Sequence, residues 1–211
     1  MLPTGIERQH ITPTRMKAFK FIAFFALLSV CGFNAQAQGT VIFSTFPFAP
    51  VTDQMTGQRI PSSAWLAQLY YGPAGASESQ LISVANPPAN LVTDGFVTSG
   101  TRFTDPAVVA GGSFGTFRVR LWSAILGPTW ETAYPIWLSG FVSEGKLGKS
   151  NLGLIRTGDP DGSPPESAAS LQGIRPGEIG IQPFTVGIPE PGIWALGLVS
   201  ALTALWFRRQ M

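Results

Sequence analysis

Asp159 and Asp161 stand two residues apart beside Gly162 in the stretch TGDPDGSPPES, residues 157–167. Carboxylates spaced in this way open some calcium loops, because a hard cation takes oxygen ligands and the glycine permits a sharp turn. Counted from Asp159, the twelfth position is Ser170, where an EF-hand needs a bidentate Glu. The stretch therefore reads as an exposed Asp-Gly turn in a Pro/Ser-rich loop. No metal and no cofactor is expected.

Two further groupings have residue types suited to sugar chemistry. In GTFRVRLWSA, residues 115–124, apolar and polar positions alternate: Phe117, Val119 and Leu121 face one way, Arg118, Arg120 and Trp122 the other. An aromatic and guanidinium face of this kind, joined by Tyr70 or Tyr71 from a neighbouring strand, could stack on a glycan. The competing expectation is that a loop or a sheet edge covers it. Glu131 and Glu144 are acids of the type a glycosidase uses in pairs, but nothing in their spacing selects them from the eleven acids between Gln38 and Pro191. No catalytic residue is assigned.

These groups need elements to position them, and the two ends of the chain must first be set apart. From Met16 the sequence runs MKAFKFIAFFALLSVCGFNAQAQ: two lysines, an uncharged core from Phe21 to Phe33, then Ala35-Gln36-Ala37. That is the three-part pattern of a secretory signal peptide, with the cut expected after Ala37 by a signal peptidase. Residues 1–15 lack apolar periodicity, so translation is expected to start at Met16. The only His, His10, and the only Cys, Cys31, both precede the expected cut. An exported chain beginning at Gln38 would thus have no thiol and no imidazole. Ser-His-Asp and Cys-His catalysis, thiolate or imidazole zinc sites and disulfides are excluded for it.

The other end, residues 188–211, reads IPEPGIWALGLVSALTALWFRRQM. Ile193–Phe207 has neither charge nor proline and as a helix would be about 22 Å long. Such a helix could cross a thin membrane with Trp194 near one interface and Trp206 and Phe207 near the other, while Arg208 and Arg209 stay in the cytoplasm. Pro189-Glu190-Pro191 makes the segment just outside rigid and extended. Taken in this order, motif, span and basic end resemble the PEP-CTERM sorting signal of Gram-negative bacteria. The basic end differs from the longer cluster frequent in that family, having two arginines followed by Gln210 and Met211. The resemblance implies cleavage at the motif by an exosortase, a membrane-embedded cysteine protease, and delivery to the cell surface or an extracellular matrix.

Between these ends, residues 38–187 read as one domain of short strands punctuated by many of the 24 Gly and 18 Pro. Strands are expected at Gly39–Thr45, Trp65–Gly75 and Gly115–Ala124, with weaker ones at Leu81–Ala85, Gly95–Gly100, Ala107–Gly111, Pro135–Phe141 and Gln182–Gly187. Eight short strands with turns between them predict an all-β antiparallel β-sandwich or jelly-roll-like domain. The segments QGTVIFST, AQLYYGPAG and FRVRLW are also similar to exported proteins that carry this sorting tail in Verrucomicrobia-type bacteria. Between Gln38 and Pro191, eight basic residues stand against eleven acidic ones, a net −3, so no nucleic-acid footprint is present. The sequence thus predicts an exported, surface-sorted, non-catalytic structural or interaction protein of the envelope or its extracellular polysaccharide. A carbohydrate-binding module is the alternative, and a carboxylate hydrolase a third reading.

Overall fold

The computed structural model describes residues 37–188. Ala35, Pro189, Glu190, Pro191, Ile193, Trp194, Trp206, Phe207, Arg208 and Arg209, to which the signal and sorting expectations attach, lie outside the described residues.

The domain is mainly β: one eleven-stranded, mixed, strongly curled sheet resembling half a barrel, with a single short helix. Its strands are β1 (Thr40–Ser44), β2 (Val51–Asp53), β3 (Trp65–Pro73), β4 (Ile82–Ser83), β5 (Ala89–Thr93), β6 (Phe96–Phe103), β7 (Phe114–Ser123), β8 (Leu147–Lys149), β9 (Gly153–Arg156), β10 (Ala169–Ser170) and β11 (Phe184–Gly187). Along the sheet they run β10-β1-β6-β5-β3-β7-β8-β11-β2, with β4 added to β3 and β9 to β7. The longest ladder joins β3 to β7 antiparallel, from Trp65 opposite Ser123 to Pro73 opposite Gly115. Both strands alternate strictly, and their register puts Ala67, Leu69 and Tyr71 on the same face as Leu121, Val119 and Phe117. This face forms the main core together with Ile155 of β9 and with Val41, Phe43 and Val186 from strands toward the two ends of the sheet.

The opposite face of the ladder has a core of its own. Helix α1 (Trp130–Ser139) crosses it and buries Trp130 and Ala133 against Tyr70, Trp122, Leu126 and Leu147. The helix starts where the Thr129 hydroxyl accepts from the Thr132 amide, and ends at Gly140, whose φ of 69° few other residues tolerate.

Three expectations are corrected here. The sheet is mixed rather than purely antiparallel, because β1 pairs parallel with β10 and β2 parallel with β11. These partners lie more than a hundred residues apart in the chain, beyond the reach of turn signals and local alternation. The Pro135–Phe141 strand is instead the second half of α1, with Pro135 inside it. The spacing of Trp130, Ala133 and Trp137 is helical, and tertiary packing on Trp122 outweighs the cost of the proline. Ala107–Gly111 forms turns closed on the Thr104 hydroxyl, which donates to the Val109 carbonyl at 2.6 Å; only Ala110 makes a bridge, to Gln38. Short β2, β5, β8, β9 and β10 were not expected as strands.

The hairpin joining β5 to β6 turns at Asp94-Gly95, with Gly95 at φ 77°. A Cβ there would come within 2.9 Å of the Val51 carbonyl oxygen. Gly95→Ala is expected to cost about 1–2 kcal/mol, read as a lower urea midpoint at unchanged slope.

Candidate functional site

Arg118, Arg120 and Trp122 do share one face of β7, opposite Tyr70, Gln68 and Leu66 of β3. The face is covered. Trp122 is 0% exposed beneath α1, its indole Nε1 donating to the Gly127 carbonyl at 2.9 Å and its ring meeting Trp130 edge-on at 6.1 Å. Arg120 is 9% exposed, its guanidinium lying 4.0 Å from the Tyr70 ring centroid and 5.1 Å from that of Trp130. Two aromatic faces thus solvate a largely buried cation, at about 0.5–2 kcal/mol each. The Nε atoms of both Arg118 and Arg120 are buried without a hydrogen-bond partner.

One residue that sequence reasoning missed organises these charges. The chain leaves β3 through a Gly-Pro-Ala-Gly turn, where the Ala76 amide donates to the Thr116 hydroxyl, and folds back over β7. A single 3-10 turn, Glu78–Gln80, then sets Glu78 above the arginines. Its carboxylate accepts from Arg118 at 2.7 Å and from Lys149 at 2.9 and 3.0 Å, with Arg120 3.7 Å away. Burial works to raise the Glu78 pKa, but Lys149 and Arg118 outweigh it and hold the carboxyl below its ordinary range. The signal available in advance was an unpaired alternation: two arginines on a strand face require an acid, and Glu78 follows the turn of the adjoining strand.

Glu131, considered above as half of a glycosidase pair, has a different partner. At the start of α1 it accepts a 2.6 Å hydrogen bond from the Tyr70 hydroxyl. Burial and then the adjoining carboxylate push the Tyr70 phenol well above its ordinary pKa, so it remains a donor. Glu144 is exposed and makes no ion pair among the described residues. At the opposite edge of the sheet Asp53 pairs with Lys146, whose hydrogen bond lowers the Asp53 pKa against the opposing effect of burial.

In the 157–167 loop, the Asp159 carbonyl closes the turn by accepting from the Gly162 and Glu166 amides at 3.3 and 2.7 Å. Asp159 Oδ1 is buried without a partner, while Asp161 is exposed. Among the described residues no three of His, Cys, Asp and Glu gather as metal ligands would. Glu166 instead bridges Arg156 and Arg175, at 2.9 and 3.5 Å.

A second place has open space. Beside the β5–β6 hairpin lies a cavity of about 310 Å³. Phe46, 55% exposed, lines it and meets Phe96 edge-on at 5.2 Å. The Arg59 guanidinium lies 4.9 Å from the Phe96 ring, and Asp94 accepts the Ser62 amide on one oxygen at 2.8 Å. Thr93 completes the polar lining. The arrangement offers an apolar edge, a cation, a carboxylate and hydroxyls, which suits a small polyhydroxylated ligand.

No protein-family model, no curated protein and no solved structure matches this chain.

Because Glu78 and Asp53 have lowered pKa values, their stabilising contribution is complete above the ordinary carboxylate range and is lost as pH falls through the folded values. Urea midpoints should therefore drop below about pH 4. In Glu78→Gln the midpoint at pH 7 should fall by the equivalent of about 1–2 kcal/mol, a figure discounted for the partial exposure of the carboxylate. Its decline below pH 4 should be shallower than in the unaltered protein.

Proposed function

We propose that this is an exported, surface-sorted, non-catalytic structural or interaction protein of the cell envelope or its extracellular polysaccharide, processed by an exosortase at Pro189-Glu190-Pro191. The observation that carries this reading is the sequence order of Pro189-Glu190-Pro191, the apolar run Ile193–Phe207, then Arg208 and Arg209, in a chain that also has, from Met16, a Lys-flanked apolar core followed by Ala35 and Ala37. Among the described residues, a cut after Ala37 would remove one backbone hydrogen bond, from the Gly111 amide to the Ala37 carbonyl. A non-catalytic role agrees with the engagement of Glu78, Glu131, Glu166 and Asp53 in ion pairs or hydrogen bonds. Part of the same proposal is that the curled sheet acts as the two layers of a jelly-roll-like sandwich, an arrangement favoured by the shared core of β1 and β7 side chains.

The exported protein should begin at Gln38 by amino-terminal sequencing. In a host with an exosortase, Glu190→Ala, or Pro189→Ala with Pro191→Ala, should leave export intact while uncleaved protein accumulates in the membrane. Deleting Ile193–Met211 should release a soluble periplasmic species. Maturation and surface display of the motif variants at wild-type levels would refute sorting.

The carbohydrate-binding alternative is favoured by a different place from the one expected. Trp122 lies under α1, and Arg118 and Arg120 are covered by Glu78, whereas the Phe46 cavity is open. If the domain holds the host's polysaccharide, Phe46→Ala should weaken binding at least tenfold in affinity electrophoresis, with the melting temperature unchanged because Phe46 is more than half exposed. Equal retardation of both proteins would remove this reading.

A further inference from the structure

Helix α1 lays Trp130 and Ala133 on the second core and turns much of its remaining surface outward. From Thr132 to Ser143 the sequence has no charged residue. Tyr134, Leu138 and Phe141 are nonetheless exposed, Leu138 at 62% and Phe141 at 91%. Tyr134, half-buried Trp137 and Leu138 follow the i, i+3, i+4 spacing of one helical stripe, with the Tyr134 and Trp137 rings stacked at 6.1 Å, and Phe141 stands just past the Gly140 cap that ends the helix. Single exposed apolar side chains mean little, but a connected stripe without a charge marks an interaction surface.

The position of the stripe identifies its partner. Trp137 Nε1 donates to the Gly187 carbonyl at 3.0 Å, so the stripe is fastened to the last residue of β11. From Gly187 to Ile193, the first residue of the apolar run, there are six Cα steps, at most about 20 Å when fully extended. A domain of this size has a radius of gyration of about 15 Å. A run that crosses a bilayer therefore favours the face around Gly187 for contact with the headgroups. Trp and Tyr are also the side chains that favour that interface, since their rings are apolar and their N–H and O–H tips polar. We infer that the Tyr134, Trp137, Leu138 and Phe141 stripe is a lipid-contacting surface, which beds the domain on the outer face of the membrane that its tail crosses. The inference rests on the membrane-spanning tail proposed above. Its result is that Pro189-Glu190-Pro191 lies at the bilayer surface, within reach of a membrane-embedded protease.

The test uses the chain exported by a host without an exosortase, with Cys31→Ser and a single cysteine introduced by Phe141→Cys or, for comparison, Thr101→Cys on β6. Both positions are exposed, so a fluorescent label disturbs no core. After reconstitution into phosphatidylethanolamine/phosphatidylglycerol liposomes, flotation reports whether the tail holds the membrane, with the Ile193–Met211 deletion as its control. The expected result is flotation of the full chain but not of the deletion. The label at 141 should be shifted to the blue and quenched at least twofold by lipid-borne nitroxide, while the label at 101 remains in water. Flotation with the 141 label still aqueous overturns the lipid surface and leaves the tail reading standing. A blue-shifted 141 label insensitive to lipid nitroxide means that protein, such as a second copy of this chain, covers the stripe, and overturns it equally. Failure of the full chain to float removes the spanning tail itself.

Discussion

The nine-pair ladder between β3 and β7 is the constraint on which the rest of the domain depends. Side chains alternate about a pleated strand, so a single register decides two cores at once: Leu69 and Val119 enter one, Tyr70 and Trp122 the other. A slip of one residue would exchange them, placing Arg118 and Arg120 among Phe43, Ile155 and Val186. Burying two unpaired guanidinium groups in an apolar interior is prohibitive. The arginines thereby specify the register as firmly as the hydrophobic residues do.

Both faces of this ladder being occupied explains why the protein needs its helix and its 3-10 turn. An open sheet would leave one face to water; here α1 covers Trp122, and Glu78 covers the guanidinium groups. The cations outnumber the acids in this layer, with Arg118, Arg120 and Lys149 around Glu78 and only Glu131 nearby through Tyr70. The aromatic faces of Tyr70 and Trp130 take up what the carboxylates do not. Conformational order in this layer therefore comes from directional polar contacts as much as from apolar burial.

How much of this could be read in advance follows from the range of each signal. The alternation of residues 115–124 was legible because strand period is local, whereas the Gly-Pro pair expected to stop the preceding strand lies inside β3, which pairs with β7 as far as Pro73. The parallel pairings of β1 with β10 and of β2 with β11 were not legible, since three- and two-residue pairings leave no periodicity of their own. Pro135 misled for a physical reason: a breaker within an apolar run argues against a helix, yet Trp130 and Ala133 already anchor the first turn on Trp122. Arg118, Arg120 and Trp122 share one face of β7. Its cover came from Glu78 and α1, forty residues upstream and a few residues downstream of the strand, a relation that only the folded chain reveals. The Phe46 cavity gave no sequence signal, because its lining comes from three separate loops and strand ends.

The way β11 is held has a mechanical consequence. It lies between β8, antiparallel, and β2, parallel, and its final carbonyl is bonded to Trp137. Tension applied beyond Ile188 along the strand axis loads the ladders on both sides together in shear, so several hydrogen bonds must fail at once. A pull across the strands would instead unzip one bond at a time. The closing strand of this domain is thus suited to bearing traction transmitted through the end of the chain.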